Sequence, residues 1–150
     1  MLRVDFLPPD LVGRWAFERV VDDRLAGQTI GVEGAAVFSR RDDTTIDWRE
    51  QGTMHLPSGD VPVTTHRVLT REGAGPWSVD FADGRGFHAW ATGTELLHDC
   101  APDLYRGRLD PEPASATAGV APGAWTMRWA ATGPAKDYVI DTRYEFRAAV

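Results

Sequence analysis

The sequence contains few of the residues that build disulfide-linked, metal-clustered or membrane-spanning proteins. Cys100 is the only cysteine among 150 residues, so the chain cannot form an internal disulfide, and zinc or iron–sulfur sites that need several cysteines are excluded. No stretch approaches the ~20 apolar residues of a membrane helix. The opening MLRVDFLPPD also lacks the apolar segment of a signal peptide. We therefore expect a cytoplasmic protein without a membrane partner.

Basic residues are fewer than acidic residues in this chain. Sixteen Lys and Arg stand against twenty-two Asp and Glu, which gives a net charge of −6 and a pI near 5.1. Nucleic-acid binding depends on basic side chains that neutralise phosphates, so we expect no nucleic-acid partner. Neither an internal repeat nor a charge block divides the chain, and residues 1–150 are expected to form a single domain.

The residues that are plentiful favour short strands and tight turns. The chain has six Trp, fifteen Gly and ten Pro, a combination that disfavours long helices. Trp15, Phe17 and Val21 alternate along one run, as expected for a half-buried strand. The pair Asp83-Gly84 stands between PWSVDF and FHAWA, where it predicts a tight hairpin turn.

Counting such runs predicts about eight to ten antiparallel strands joined in sequence, which form an up-and-down β-barrel that leaves no open edge. A β-sandwich is the alternative, but it needs longer crossing connections than this sequence provides. The segment LPPDLV is expected to form one helical turn before the first strand. The segment DPEPASATAGVAPG is expected to be the one long loop.

The N-terminal pattern, a helical turn followed by Gly13-x-Trp15, resembles the calycin superfamily, which includes the lipocalins. The resemblance implies that Trp15 closes one end of the barrel. It also implies that a basic residue near the end of the last strand, Arg143 or Arg147, covers this ring by stacking its guanidinium on the indole.

Several longer segments point to one family. In chain order these are GRWAFERVVDD, GQTIGVEGAAVF, DWREQG, DFADGRGFH, HDCAPDLY and GPAKDY. Together they resemble an uncharacterised bacterial family, the domain of unknown function six-three-one-four, which is a lipocalin-like barrel group. The resemblance implies the fold and carries no activity.

An arginine and a glutamate are placed to point into the barrel. Arg19 shares its alternating face with Trp15 and Phe17, and Glu50 shares its face with Trp48. Because a charge inside a barrel needs a partner, we predict that Arg19 and Glu50 form an ion pair. Such a pair is either structural or half of a ligand site, and the sequence leaves both open.

Candidate acid–base residues cluster between positions 87 and 105. His88 shares a face with Trp90, His98 shares one with Cys100, and Tyr105 follows on the next run. Since adjacent strands lie ~4.8 Å apart, these groups could meet on one wall and transfer protons near neutral pH. The alternative is that each is a satisfied polar residue at a barrel rim. The catalytic candidates are His88, His98, Tyr105 and Glu50.

A metal or haem site is a lesser alternative. His88 and His98 with a carboxylate offer suitable metal ligands, but no spacing fixes their geometry. Haem could be held by one of the four histidines, the other two being His55 and His66, and nothing selects among them. We predict no metal and no cofactor. Cys100 as a nucleophile with His98 as its base is also weighed, although an inert thiol is the simpler interpretation.

Aromatic residues, together with Lys136 and Tyr138 near the open end of the barrel, complete the predicted pocket. Lys136 and Tyr138 share a face of the last strand, where Lys136 could bind an anionic ligand. Tryptophans are expected to fill the core and, in a barrel of this size, to line the cavity. These are Trp48, Trp77, Trp90, Trp125 and Trp129. The predicted ligand-binding residues are Arg19, Glu50, Trp48, His88, Trp90, His98, Cys100, Tyr105, Trp129, Lys136 and Tyr138.

The leading functional hypothesis is a barrel that binds a small anionic or aromatic metabolite in its cavity. The alternative is a cofactor-free enzyme, such as a cyclase, isomerase or lyase, that uses the cavity His, Tyr and Glu side chains as acid–base groups. Under either hypothesis the partner is a small molecule, and we expect the chain to act as a monomer or homodimer.

Overall fold

The computed structural model describes residues 5–112 and 122–150, and within them ten β-strands form one antiparallel sheet. A turn of 3-10 helix, Pro8–Leu11, precedes the strands. The strands, numbered β1 to β10, are Gly13–Asp23, Gln28–Asp42, Thr45–Leu56, Gly59–Thr70, Ser78–Phe81, Gly86–Ala89, Leu96–Cys100, Asp103–Pro111, Ala124–Gly133 and Lys136–Ala148. The all-β prediction is confirmed. The centre of the expected long loop, residues 113–121, lies outside the described residues.

The strands form an up-and-down barrel, as predicted, and not a sandwich. Consecutive strands pair with each other except β6 and β7, and β1 also pairs with β10, which joins the first and last strands of the chain. Along this ladder Trp15 lies opposite Ala36 on β2 and opposite Phe146 on β10. No helix in the described ranges is long and apolar enough to cross a bilayer.

The barrel is not fully closed, which corrects the expectation that no edge remains. β6 and β7 are the two edges of the sheet, with four and five residues, and no ladder joins them within the described strands. Two contacts of His98 bridge the gap. Its Nδ1 donates a hydrogen bond to the Phe87 carbonyl at 2.8 Å, and its ring lies 5.0 Å from the Phe87 ring. We call this gap the β6–β7 seam.

Trp15 closes one end of the barrel. Its side chain is fully buried, and its Nε1 donates to the Leu11 carbonyl at 2.8 Å, which ties the 3-10 turn to the barrel. The implied arginine cover is wrong, because Phe146 meets the indole edge-on at 5.3 Å. Arg143 and Arg147 instead point outward and form ion pairs with carboxylates on the surface.

The half of the barrel beside Trp15 is a packed aromatic core. Trp125 stacks on Tyr144 at 4.1 Å, and Phe6 and Trp90 pack against Trp125 at 5.5 and 6.3 Å. Such close contacts leave this half without ligand space. Space for a ligand is therefore confined to the other half.

Candidate functional site

The open half of the barrel contains a cavity of about 460 Å³, a size typical of small-molecule sites. Nine predicted ligand-binding residues line it. They are Arg19, Trp48, Glu50, His88, His98, Cys100, Tyr105, Trp129 and Tyr138. Trp90 does not, because it lies beyond the end of β6 and its Nε1 donates to the Phe6 carbonyl in the closed-end core at 2.9 Å. Lys136 does not either, since it sits outside on the rim.

The predicted ion pair forms next to the closed-end core. Arg19 Nη2 lies 2.8 Å from Glu50 Oε1, and Arg19 Nε donates to Thr142 Oγ1 at 2.8 Å. Trp48 Nε1 and the Tyr144 hydroxyl both donate to Oε2 of Glu50. Burial tends to lower the pKa of Arg19, but interactions with Tyr144 and Glu50 outweigh burial and raise it. The charges of Arg19 and Glu50 therefore neutralise each other, and neighbouring side chains fix both groups by hydrogen bonds.

A second arginine lines the cavity without a carboxylate of its own. Arg67 stands between Trp48 on β3 and Phe81 on β5, with its guanidinium 5.1 Å from the centre of the Phe81 ring and 5.7 Å from that of Phe87. Within the described ranges the one hydrogen bond of its side chain runs from Nη1 to the His66 carbonyl, and its guanidinium joins no ion pair. Burial lowers the pKa of Arg67, yet arginine stays charged in proteins.

Three parallel rings form one wall of the cavity, which we call the aromatic wall. Phe87 stacks on Phe81 at 4.7 Å and on Trp129 at 5.1 Å. Gly107 on β8 makes room for the indole, since a Cβ added there would lie 2.6 Å from the Trp129 ring. Both faces of the Phe87 ring are covered by its neighbours in this stack, so an aromatic ligand would meet the ring edges in edge-to-face contacts.

Both cavity histidines are held by backbone carbonyls. His88 Nδ1 donates to the Ala89 carbonyl and His98 Nδ1 to the Phe87 carbonyl, each at 2.8 Å. Burial lowers the pKa of His88 to about 4, so its ring is neutral at neutral pH. With the proton on Nδ1, the Nε2 lone pair is the one left to accept a hydrogen bond or a proton.

A polar cluster lies at the end of the cavity away from Trp15, and we call it the rim cluster. Lys136 Nζ donates to the Tyr105 hydroxyl at 2.7 Å and lies 3.1 Å from Asp103 Oδ2. Hydrogen bonds to Tyr105 and Asp103 raise the pKa of Lys136. Burial and a hydrogen bond to Tyr105 raise the pKa of Tyr138. Gly133 makes room for the carboxylate, because a Cβ there would lie 2.1 Å from Asp103 Oδ1.

The remaining histidines face away from the cavity. His55 bonds to Asp60 and Glu33 on the outer surface, and His66 bonds to Asp47. Within residues 5–112 and 122–150, no group of three or more His, Cys, Asp and Glu side chains is placed to hold a metal ion. Of the four histidines weighed as haem ligands, only His88 and His98 line the cavity.

Sequence reasoning missed Arg67, Phe81 and Phe87. A signal for Arg67 was present, because it shares its alternating face in VPVTTHRVLT with Leu69, which is fully buried. Phe81 likewise alternates with the buried Val79. Phe87 has the opposite parity to His88, yet both line the cavity, because the β5–β6 pairing shifts register between Val79–His88 and Asp80–Gly86 and leaves Phe87 as an extra residue.

The fold matches solved barrels of low sequence identity. The S-type phycobiliprotein lyase from Guillardia theta superposes with a TM-score of 0.61 at 15% identity, over 99% of this chain and 94% of that chain. A redesigned β-barrel, mFAP0, bound to DFHBI, matches with a TM-score of 0.46 at 16% identity, over 91% of this chain and 98% of that chain. A comparison with curated proteins found no match. Likeness at this identity concerns the fold alone.

A family model covers most of the chain. It is described as a family of unknown function, DUF6314, and it matches residues 11–146. The match begins in the 3-10 turn and ends in β10, so it includes every strand that lines the cavity. The chain therefore belongs to DUF6314, a family of unknown function, and has a fold similar to lipocalin-like barrels.

Proposed function

We propose that the cavity binds a small aromatic molecule that carries a carboxylate or a similar anionic group. The observation that carries this proposal is Arg67, a half-buried guanidinium that lines the cavity without an ion-pair partner among the described residues. A buried charge without a direct partner is costly. An anionic ligand would supply the missing partner through charge-assisted hydrogen bonds.

The charged groups around Arg67 favour an anionic ligand over a cationic one. Arg19 is neutralised by Glu50 at 2.8 Å, and the lowered pKa of His88 leaves that ring neutral. The inner end of the cavity therefore has a net positive charge. Because the site is partly shielded from water, this charge acts on a ligand more strongly than a surface charge would.

The shape of the cavity supports an aromatic body. The aromatic wall offers ring edges for edge-to-face contacts beside Arg67, which itself lies over the Phe81 and Phe87 rings. Stacked and edge-to-face ring pairs contribute about 0.5–1.5 kcal/mol beyond the area they bury. A carboxylate on Arg67 and a ring on the wall would be held at once by one flat ligand.

Calorimetric titration with 2-naphthoate and its neutral amide, 2-naphthamide, tests this function. The two probes share a ring system and differ in charge. We expect the wild-type protein to bind naphthoate about 10- to 100-fold more tightly, which corresponds to one charged hydrogen-bonding interaction. Equal affinities for the acid and the amide would contradict the proposal.

Variants of Arg67 locate the effect. Arg67→Met should remove the preference for the acid while keeping affinity for the amide. Arg106→Met is the matched control, because Arg106 pairs with Glu95 on the outer surface and its loss changes the net charge equally. If both variants weaken naphthoate binding to the same degree, the preference comes from overall charge and not from this site.

Acid–base catalysis is a second candidate, favoured by the two histidines. Each has its Nδ1 bound to a backbone carbonyl, which leaves Nε2 as a base beside any bound ligand. Base-promoted ring opening of 5-nitrobenzisoxazole reports such a group. We expect His98→Gln or His88→Gln to abolish any rate above that of imidazole in solution, whereas an unaccelerated reaction in the wild-type protein would remove this candidate.

Assembly and compartment are proposed with the binding function. We propose a cytoplasmic monomer or homodimer; Cys100 is an exposed free thiol, and a reducing compartment keeps such thiols reduced. Size-exclusion chromatography with light scattering measures the mass of the protein in solution. A particle larger than two 16.5 kDa chains would contradict the assembly proposed.

A further inference from the structure

The rim cluster contains a phenol whose oxygen is already occupied on its acceptor side. Tyr105 lines the cavity, and its oxygen accepts a hydrogen bond from Lys136 Nζ at 2.7 Å. Tyr138 also lines the cavity, and burial and its interaction with Tyr105 raise the pKa of Tyr138. An ammonium that donates to a phenol oxygen polarises the phenol O–H bond, and this makes the phenol a stronger donor.

Lys136 is held in place for this role. It is the only lysine in the sequence, and Asp103 Oδ2 lies 3.1 Å from its Nζ. Gly133 gives Asp103 the space to reach it. The arrangement fixes an ammonium at the oxygen of Tyr105, while Lys136 itself stays outside the cavity.

Tyr105 and Arg67 are joined by a continuous line of rings. The Arg67 guanidinium lies 5.7 Å from the Phe87 ring centre, Phe87 lies 5.0 Å from His98, and His98 lies 5.7 Å from Tyr105. A flat molecule lying along these rings, with an anionic group at Arg67, would present its far end to Tyr105.

We propose that Tyr105, polarised by Lys136, is a donor site for an oxyanion, and that the ligand is an aromatic acid with a second, ionisable oxygen, either a phenol or an enol, at its far end. This inference rests on the proposed function, because Arg67 orients the molecule. Tyr105 would donate directly to the ligand oxygen, and Lys136 would act as a positioning and polarising residue. The other titratable groups facing Tyr105 are Asp103 on its own strand, His98 and Cys100 on β7, and Tyr138 on β10.

The test uses 6-hydroxy-2-naphthoate, whose phenol ionisation is visible by absorbance. In the wild-type protein we expect the phenol pKa of the bound probe to fall by about one unit or more relative to the free probe, since one unit is a tenfold preference for the anion. Tyr105→Phe should abolish this shift. A bound phenol whose pKa equals or exceeds that of the free probe would overturn the proposal.

Cation variants separate polarisation from a structural effect. Lys136→Met should lose most of the shift and Lys136→Arg should retain much of it. Arg128→Met, which removes a cation from an exposed ion pair with Asp141 on the outer surface, should leave the shift unchanged. A shift that survives in Lys136→Met, or is lost equally in Arg128→Met, would overturn the role given to Lys136.

A second probe and a second signal distinguish this proposal from the function on which it rests. 2-Naphthoate lacks the hydroxyl group, so Tyr105→Phe and Lys136→Met should reduce its affinity much less than that of the hydroxylated probe. Because the chain has one lysine, a carbon-13 label at lysine Cε gives one resonance, which should move with the hydroxylated probe and stay with 2-naphthoate. If 2-naphthoate binds but the hydroxylated probe shows neither the pKa shift nor the movement of the lysine resonance, the oxyanion site alone is refuted. If 2-naphthoate does not bind, both proposals are refuted.

Discussion

The Arg19–Glu50 pair allows a quantitative test of how the inner end of the cavity is held together. Glu50 is 6% exposed and accepts hydrogen bonds from Arg19, Trp48 and Tyr144. Arg19→Met leaves this carboxylate buried with its neutral donors and without its counter-charge. We expect a loss of about 3 kcal/mol in the free energy of unfolding, the lower end of the range for breaking a buried pair, because those two donors remain.

The double variant distinguishes a true pair from two independent residues. Glu50→Gln alone should cost about 2 kcal/mol, since it leaves the guanidinium buried with a weaker acceptor. In the variant carrying both changes no charge is left unpaired, so its loss should be about 1–3 kcal/mol smaller than the sum of the single losses. Urea unfolding followed by tryptophan fluorescence and circular dichroism measures all three. Additive losses would refute the coupling and the inward pairing of these residues.

Ligand binding then assigns the pair its role. Because both charges are committed to each other while Arg67 has no ion-pair partner among the described residues, the double variant should bind 2-naphthoate nearly as tightly as the wild-type protein. Loss of naphthoate binding in a folded double variant would show that Arg19 is the anion anchor.

Three further outcomes follow from the structure. Gly107→Ala should place a Cβ within 2.6 Å of the Trp129 ring, cost about 1–3 kcal/mol by overpacking and weaken naphthoate binding in calorimetry; unchanged affinity would mean that Trp129 does not touch the ligand. Trp15→Ala should lower the free energy of unfolding by roughly 3–5 kcal/mol in urea, and a mild effect would mean that Trp15 does not close the barrel. His88 takes up its proton at about pH 4 when folded but near its ordinary pKa when unfolded, so stability should fall by up to about 3 kcal/mol as the pH drops from 6.5 to 4; His88→Gln should remove this part of the pH dependence, and an unchanged slope would contradict it.

The strands and the barrel were predictable from the sequence because burial in an antiparallel sheet alternates with period two. This rule placed Trp15, Phe17 and Arg19 on the inner face, and the structure confirms it. The partner of Arg19 also followed, because an inward charge required an opposite charge on another inward face, and Glu50 was available.

The rule failed where regular pairing stops. Trp90 was assigned to the cavity from its parity with His88, but β6 ends at Ala89 and the alternation does not continue past that point. Phe87 was overlooked because strict alternation with His88 points it outward, but the register shift between β5 and β6 breaks the alternation at Phe87. Alternation with Leu69 indicates that Arg67 points inward, but its place beside Trp48 and Phe81 depends on the register between β4 and its neighbours, which local pattern does not give.

The order of strands around the barrel has a consequence for how the chain could be rewired. The sheet runs from β6 down to β1, then from β10 down to β7, and the start of β1 lies beside the end of β10, with Arg14 opposite Ala148. A circular permutant that joins β10 to β1 and opens the chain between Ala89 and Leu96 would place all ten strands in spatial order. Every ladder in such a chain would join consecutive strands, so the long loop closure between β1 and β10 would disappear from the folding reaction. The break would fall between the one pair of consecutive strands in the described sheet that no ladder joins.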